Sequence, residues 1–146
     1  MRTSLQFAAI ACVLFIAGCG SSGPTMVKVT GTVTLDGAPV ADANVMFMPV
    51  AEGRPANSNK GTDAAGKFTL TTEKLDDGAQ EGKYNVIVTG VRRTGVETNP
   101  DGTSGDISKM QEVWFVPKKY SQPGNSGLTQ TVTKGMPPIE LKLSTK

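Results

Sequence analysis

From residue 27 onward, apolar and polar positions alternate with a period of two. Val27, Val29, Gly31, Val33 and Leu35 fall on one face of an extended segment, and Lys28, Thr30, Thr32 and Thr34 on the other. This is the period of a half-buried strand, and a helix would scatter these residues around its circumference. Asp36-Gly37-Ala38-Pro39 then supplies turn chemistry. Asn44–Met48 is apolar on both faces, which predicts a strand that is central or covered on two sides. Further strands are predicted at Lys67–Thr72, Lys83–Thr89, Val113–Val116, Leu128–Val132 and Ile139–Leu143. Gly135-Met136-Pro137-Pro138 reads as a hairpin between the last two. Residues 49–60 read as a loop, and residues 73–82 as an acidic, irregular stretch. Residues 90–111 form a long loop of the kind that is functional or disordered. No convincing helix follows residue 19. The expected fold is therefore all-β, a β-sandwich of about seven short strands.

The N-terminus follows a different pattern. Arg2 precedes the run Leu5–Ile16, which is apolar apart from Gln6, and Ala17-Gly18 supplies two small residues. The run is short of the roughly 20 residues a comfortable membrane span needs, and its three parts match an export signal. Val13-Leu14-Phe15-Ile16-Ala17-Gly18-Cys19 resembles the lipobox of bacterial lipoproteins. The resemblance implies that the Cys19 thiol takes a diacylglyceryl group, that the chain is cut just before it, and that the new amine is acylated, typically with palmitate. Gly20-Ser21-Ser22-Gly23-Pro24 follows as a flexible tether. The expected organisation is a lipoprotein signal peptide (1–18), a lipidated cysteine with its tether (19–26), and one sandwich domain (27–146). The implied location is the cell envelope, membrane-anchored through Cys19. Gly20, standing where an Asp would signal inner-membrane retention, favours the outer membrane in a Gram-negative cell.

Three motifs make the sandwich more specific. They are Gly31–Leu35 with Asp36-Gly37-Ala38-Pro39 and Ala43-Asn44-Val45, then Thr62-Asp63-Ala64-Ala65-Gly66-Lys67-Phe68, then Gly82-Lys83-Tyr84-Asn85-Val86. Together, over roughly residues 27–90, they resemble the carboxypeptidase regulatory-like domain, a transthyretin-like or Ig-like β-sandwich. The remainder is similar to small planctomycete envelope lipoproteins that carry it. The resemblance implies Gly37 and Gly66 in tight turns, and Phe68 and Tyr84 filling the space between the sheets. In peptidases of that family the module is an accessory to a catalytic domain, and no such domain is attached here. Related pilin-type sandwiches join a first-strand Lys to a last-strand Asn. Lys28 could supply the first partner, but Ile139–Leu143 holds no Asn or Asp, so no isopeptide bond is expected.

Composition narrows the chemistry. There is no histidine, which removes His-based triads and imidazole zinc ligands. The two cysteines are Cys12 and Cys19. Cys12 lies in the predicted signal, so the mature chain would hold one thiol and no internal disulfide. Removing residues 1–18 takes Arg2 away and leaves 14 basic against 13 acidic residues, about +1 instead of +2. That balance predicts no nucleic-acid partner. Ser-x-x-Lys and Walker patterns are missing. The acidic residues Glu73, Asp76, Asp77 and Glu81, and Asn99, Asp101 and Asp106 of the long loop, match no EF-hand spacing and read as solvated loop charges.

A non-catalytic protein that needs no cofactor or metal follows, one that works through structure or binding, with an envelope protein or a glycan as candidate partner. The alternative is a carbohydrate- or peptide-binding accessory module that uses the 90–111 loop and Trp114. Trp114, Arg92, Arg93 and Tyr120 are the candidate contacts. Trp114 is either a sugar platform or a core residue between Val113 and Phe115. Arg92 and Arg93 could meet anionic groups, and Tyr120, beside Lys118 and Lys119, could lie at the surface. Met46 and Met48 read as core packing.

Overall fold

The computed structural model describes residues 24–95, 99, 102–103 and 105–146. The predicted signal, Cys19 and most of the tether lie outside the described residues, as does Asp101. Twelve short strands are described: β1 (Met26–Val27), β2 (Thr30–Leu35), β3 (Ala38–Pro39), β4 (Asn44–Pro49), β5 (Ala56–Asn57), β6 (Lys67–Thr69), β7 (Ala79–Gln80), β8 (Gly82–Thr89), β9 (Val91–Thr94), β10 (Gln111–Trp114), β11 (Thr129–Val132) and β12 (Ile139–Leu143). The described helical structure is two 3₁₀ turns, Ile107–Lys109 and Lys118–Ser121. The chain is all-β.

Two sheets form the sandwich. One has the order β11-β8-β4-β5 and is antiparallel throughout. In the other, β2 is central. It pairs in parallel with β12 on one side and antiparallel with β6 and β3 on the other. Alternation sets what each strand buries. From the first sheet Val45, Phe47, Tyr84, Val86 and Val88 point inward, and from the second Val33, Phe68, Leu141 and Leu143. The Phe47 ring lies 5.7 Å from Tyr84 and 6.5 Å from Phe68, in tilted geometry, and so joins the two layers. Phe68 and Tyr84 thus occupy the interior positions expected of them. Gly31 faces the same interior. A Cβ there would come within 2.6 Å of both the Phe68 ring and the Ile139 carbonyl, so the bare backbone is what lets Phe68 and β12 close on β2.

The predicted first strand is divided. Val27, Val29 and Val33 are all buried as the alternation requires, but β1 pairs with β7 while β2 belongs to the second sheet. Asp36 and Gly37 carry φ of 49° and 88° and form the two-residue turn of the β2–β3 hairpin. β4 is central in its sheet, as its sequence predicts. Its outer face lies away from the core cluster, however. Met46 and Met48 are half-buried there, opposite Ile87 and Asn85, and they stand apart from the core cluster.

Two further expectations are corrected. Gly135–Pro138 is not a hairpin, because β11 pairs with β8 and β12 with β2, so the segment arches between sheets. The long loop also starts later than expected. Val91–Thr94 is strand β9, paired antiparallel with β10, in a two-stranded ribbon beyond the end of β8.

The turns give a stability test. Gly66 has φ of 73°, and a Cβ there would collide with the Val33 carbonyl oxygen; Gly37 has φ of 88° with open space around it. Gly37→Ala is expected to cost about 1 kcal/mol, from the left-handed backbone alone. Gly66→Ala is expected to cost about 3 kcal/mol, because the backbone must also shift. Urea unfolding of the two variants reads the difference.

Candidate functional site

Three of the four predicted contact residues, Arg92, Arg93 and Trp114, lie on the β9–β10 ribbon. Directly opposed residues share a face. The register therefore puts Val91 with Trp114 and Arg93 with Glu112 on one face, and Arg92 with Val113 and Thr94 with Gln111 on the other. Trp114 is half-buried and lies outside the core cluster. It is neither the buried core residue nor an open platform, since the Lys118 ammonium sits 5.1 Å from its ring centroid, at cation–π distance. Arg92 and Arg93 are separated by the pleat. The Arg92 guanidinium covers the Phe115 ring at 5.4 Å and reaches Asp42 at 3.7 Å, while Arg93 reaches Glu112 at 3.6 Å. Both ion pairs are long and exposed, so they add little to stability.

Tyr120 is not at the surface. Its ring is 7% exposed and belongs to the core cluster. Its hydroxyl accepts from the Ser144 amide at 2.9 Å and donates to the Ser144 carbonyl at 3.2 Å. The 3₁₀ turn Lys118–Ser121 swings the ring inward while Lys118 and Lys119 stay in solvent. Tyr120 therefore fastens the chain after β12 and presents no ring to a ligand.

The predicted acidic stretch is not a cluster. Glu73 pairs with Arg54 at 2.8 Å, and Glu81 accepts from the Lys134 amide at 2.9 Å. Asp77 accepts from the amides of Thr72, Glu73 and Lys74 at 2.7–3.0 Å. Partial desolvation pulls its carboxyl upward. The N–H groups of Thr72, Lys74 and Glu73 outweigh that and hold it below the ordinary carboxylate range. In the long loop, Asp106 accepts from the Ser108 hydroxyl and amide, which lowers its pKa, and so caps the 3₁₀ turn at Ile107–Lys109. Among the described residues no three carboxylates, cysteines or histidines come together as metal ligands would.

A cleft lies elsewhere, on the outer face of the second sheet. It has a volume of about 560 Å³, and its walls are the outward side chains of β2 and β6 and the loop at 59–63. Two buried hydroxyls hold that loop in place. Ser58 Oγ accepts from the Val45 amide at 2.8 Å. Thr62 Oγ1 accepts from Ala43 at 2.9 Å and donates to the Val40 carbonyl at 2.6 Å. The Asp42 amide also donates to the Thr62 carbonyl at 2.9 Å, so Asp42 links this wall to Arg92 of the ribbon. The sequence shows these positions only as ordinary loop Ser and Thr. Their burial, the one signal that singles them out, appears only in the folded chain.

Comparison with known proteins supplies no relative: no family model, no curated protein and no solved structure matches this chain.

The Asp77 turn provides a pH test. A depressed folded pKa contributes stability that is present above the unfolded value and lost as pH falls through the folded one. Asp77→Asn is therefore expected to be less stable than the native chain near neutral pH. The gap should shrink as pH drops below about 4, read as urea midpoints across an acid series.

Proposed function

We propose that this protein is a lipid-anchored lipoprotein of the cell envelope whose β-sandwich acts by binding or by structure, not by catalysis. The observation that carries this reading is the lipobox-like run ending in Cys19, followed at once by a short polar tether and a strand that begins at Met26. Gly20 to Thr25, six residues, span about 20 Å when extended. The anchor therefore keeps the sandwich close to the bilayer. Two or three acyl chains, each buried CH₂ contributing about 0.8 kcal/mol, hold it there stably. The carboxypeptidase regulatory-like resemblance agrees with an accessory role, and the lack of histidine agrees with a non-catalytic one.

A second reading is a carbohydrate- or peptide-binding accessory module built on the ribbon. It draws on Trp114, which stands outside the core with one face under Lys118, and on Val113, which is 50% exposed beside it. On this reading Arg92 and Arg93 serve opposite faces of the ribbon and contact different parts of a partner. Tyr120 contributes only by holding the adjoining turn in place.

The anchor reading is tested by fractionating cells that express the native chain or Cys19→Ala. The native protein is expected in the detergent-soluble membrane fraction. The variant is expected to lose membrane retention as a mature species and to accumulate as uncleaved precursor. Equal distribution and equal processing of the two would refute the anchor.

A further inference from the structure

We infer that the outer face of the β2-centred sheet is a binding groove for a linear, neutral oligosaccharide, distinct from the Trp114 ribbon. The inference rests on the proposed non-catalytic binding role for the sandwich.

The register builds the floor of the groove. Thr30 stands directly opposite Thr69, and Thr32 directly opposite Lys67, so three hydroxyls and an ammonium form one patch with neighbours about 5 Å apart. Lys60 comes from the loop at 59–63 and Asp76 from the turn fixed by Asp77. Among the described residues, the hydroxyls of Thr30, Thr32 and Thr69, the ammoniums of Lys60 and Lys67 and the carboxylate of Asp76 have no hydrogen-bond or ion-pair partner. The Asp63 carboxylate uses one oxygen to accept from the Ala65 and Lys67 amides at 2.9 and 2.8 Å, and its other oxygen is free.

Charge selects the ligand class. Two lysines and two aspartates line the cleft, so an anionic or cationic ligand would set one pair against it. A neutral polyol can donate to the carboxylates and accept from the ammoniums. Its hydroxyls can also exchange bonds with the threonines, which both donate and accept. Pro138 supplies apolar surface for sugar C–H groups.

Shape selects its length. The volume of about 560 Å³ lies within the range of small-molecule sites. A second cleft of about 370 Å³, lined by Thr34, Glu140 and Lys142, meets the first at Thr32. The groove therefore continues across β2 toward β12, which suits a chain of sugar rings better than a single ring. Glu140 and Lys142 pair with each other at 3.1 Å and keep this extension neutral as well.

The full-length chain is titrated by calorimetry with linear cello-, xylo-, manno- and chito-oligosaccharides. At least one probe is expected to bind. Thr32→Val combined with Lys67→Ala is expected to weaken it by about tenfold or more, while Thr131→Ala, exposed on β11 of the other sheet, leaves it unchanged. Both groove side chains point outward, and native circular dichroism and urea midpoint in the double variant confirm that the loss is local. Absence of binding by every probe would overturn the inference. So would binding that is lost in Trp114→Ala and kept in the double variant. Release of new reducing ends from a bound probe would support the groove but sink the non-catalytic reading on which it was built.

Discussion

The fold depends on one close approach, the Phe68 ring over Gly31. β2 is the strand through which the second sheet is assembled, since β12, β6 and β3 all pair with it. Its inward position at Gly31 has no side chain, and the Phe68 ring and the Ile139 carbonyl occupy the space a Cβ would need. The same ring meets Phe47, which in turn meets Tyr84, so three aromatics carry the contact between layers. Neither cysteine falls within the sandwich, so packing of this kind, and not a crosslink, must hold the layers together.

That packing also shapes the surface. Burying one side of β2 commits Thr30, Thr32 and Thr34 to the other side, and burying Phe68 commits Lys67 and Thr69 to the same outer face. The polar groove is thus the reverse of the core pattern. The loop that walls it is fixed from beneath by Ser58 and Thr62, whose hydroxyls satisfy backbone groups of the Val40–Val45 segment. The Tyr120 hydroxyl does equivalent work at the other end of the chain, where it bonds Ser144 just after β12.

Strands with one buried face were legible in the sequence, because alternation is what burial imposes. β2, β11 and β12 lie within segments predicted as strands, β4 and β8 each run one residue beyond theirs, and the interior roles of Phe68 and Tyr84 followed from spacing and resemblance. β9 was not legible. Arg92, Arg93 and Thr94 are all exposed, so a ribbon open to water on both faces leaves no apolar period. Tyr120 was hidden for the opposite reason: a single buried ring between Lys119 and Ser121 on a 3₁₀ turn has no periodicity to reveal it. The arch at Gly135–Pro138 carries ordinary turn residues, and nothing local distinguishes a turn within a sheet from a crossing between sheets. The groove could not be seen at all. Its walls come from positions near 30, 60, 68, 76 and 138, and only the sheet register brings them together.

In the proposed account, a short tether from an acylated Cys19 holds a self-sufficient sandwich near the bilayer, with its polar groove and its ribbon as the surfaces left for partners. Intact-protein mass spectrometry of the mature chain from its native membrane tests this most directly. The account predicts a chain that begins at Cys19 and carries the added mass of a diacylglyceryl group and an amide-linked acyl chain. A mature chain that begins at Ser21 or later, or one that begins at Cys19 without lipid, would contradict it.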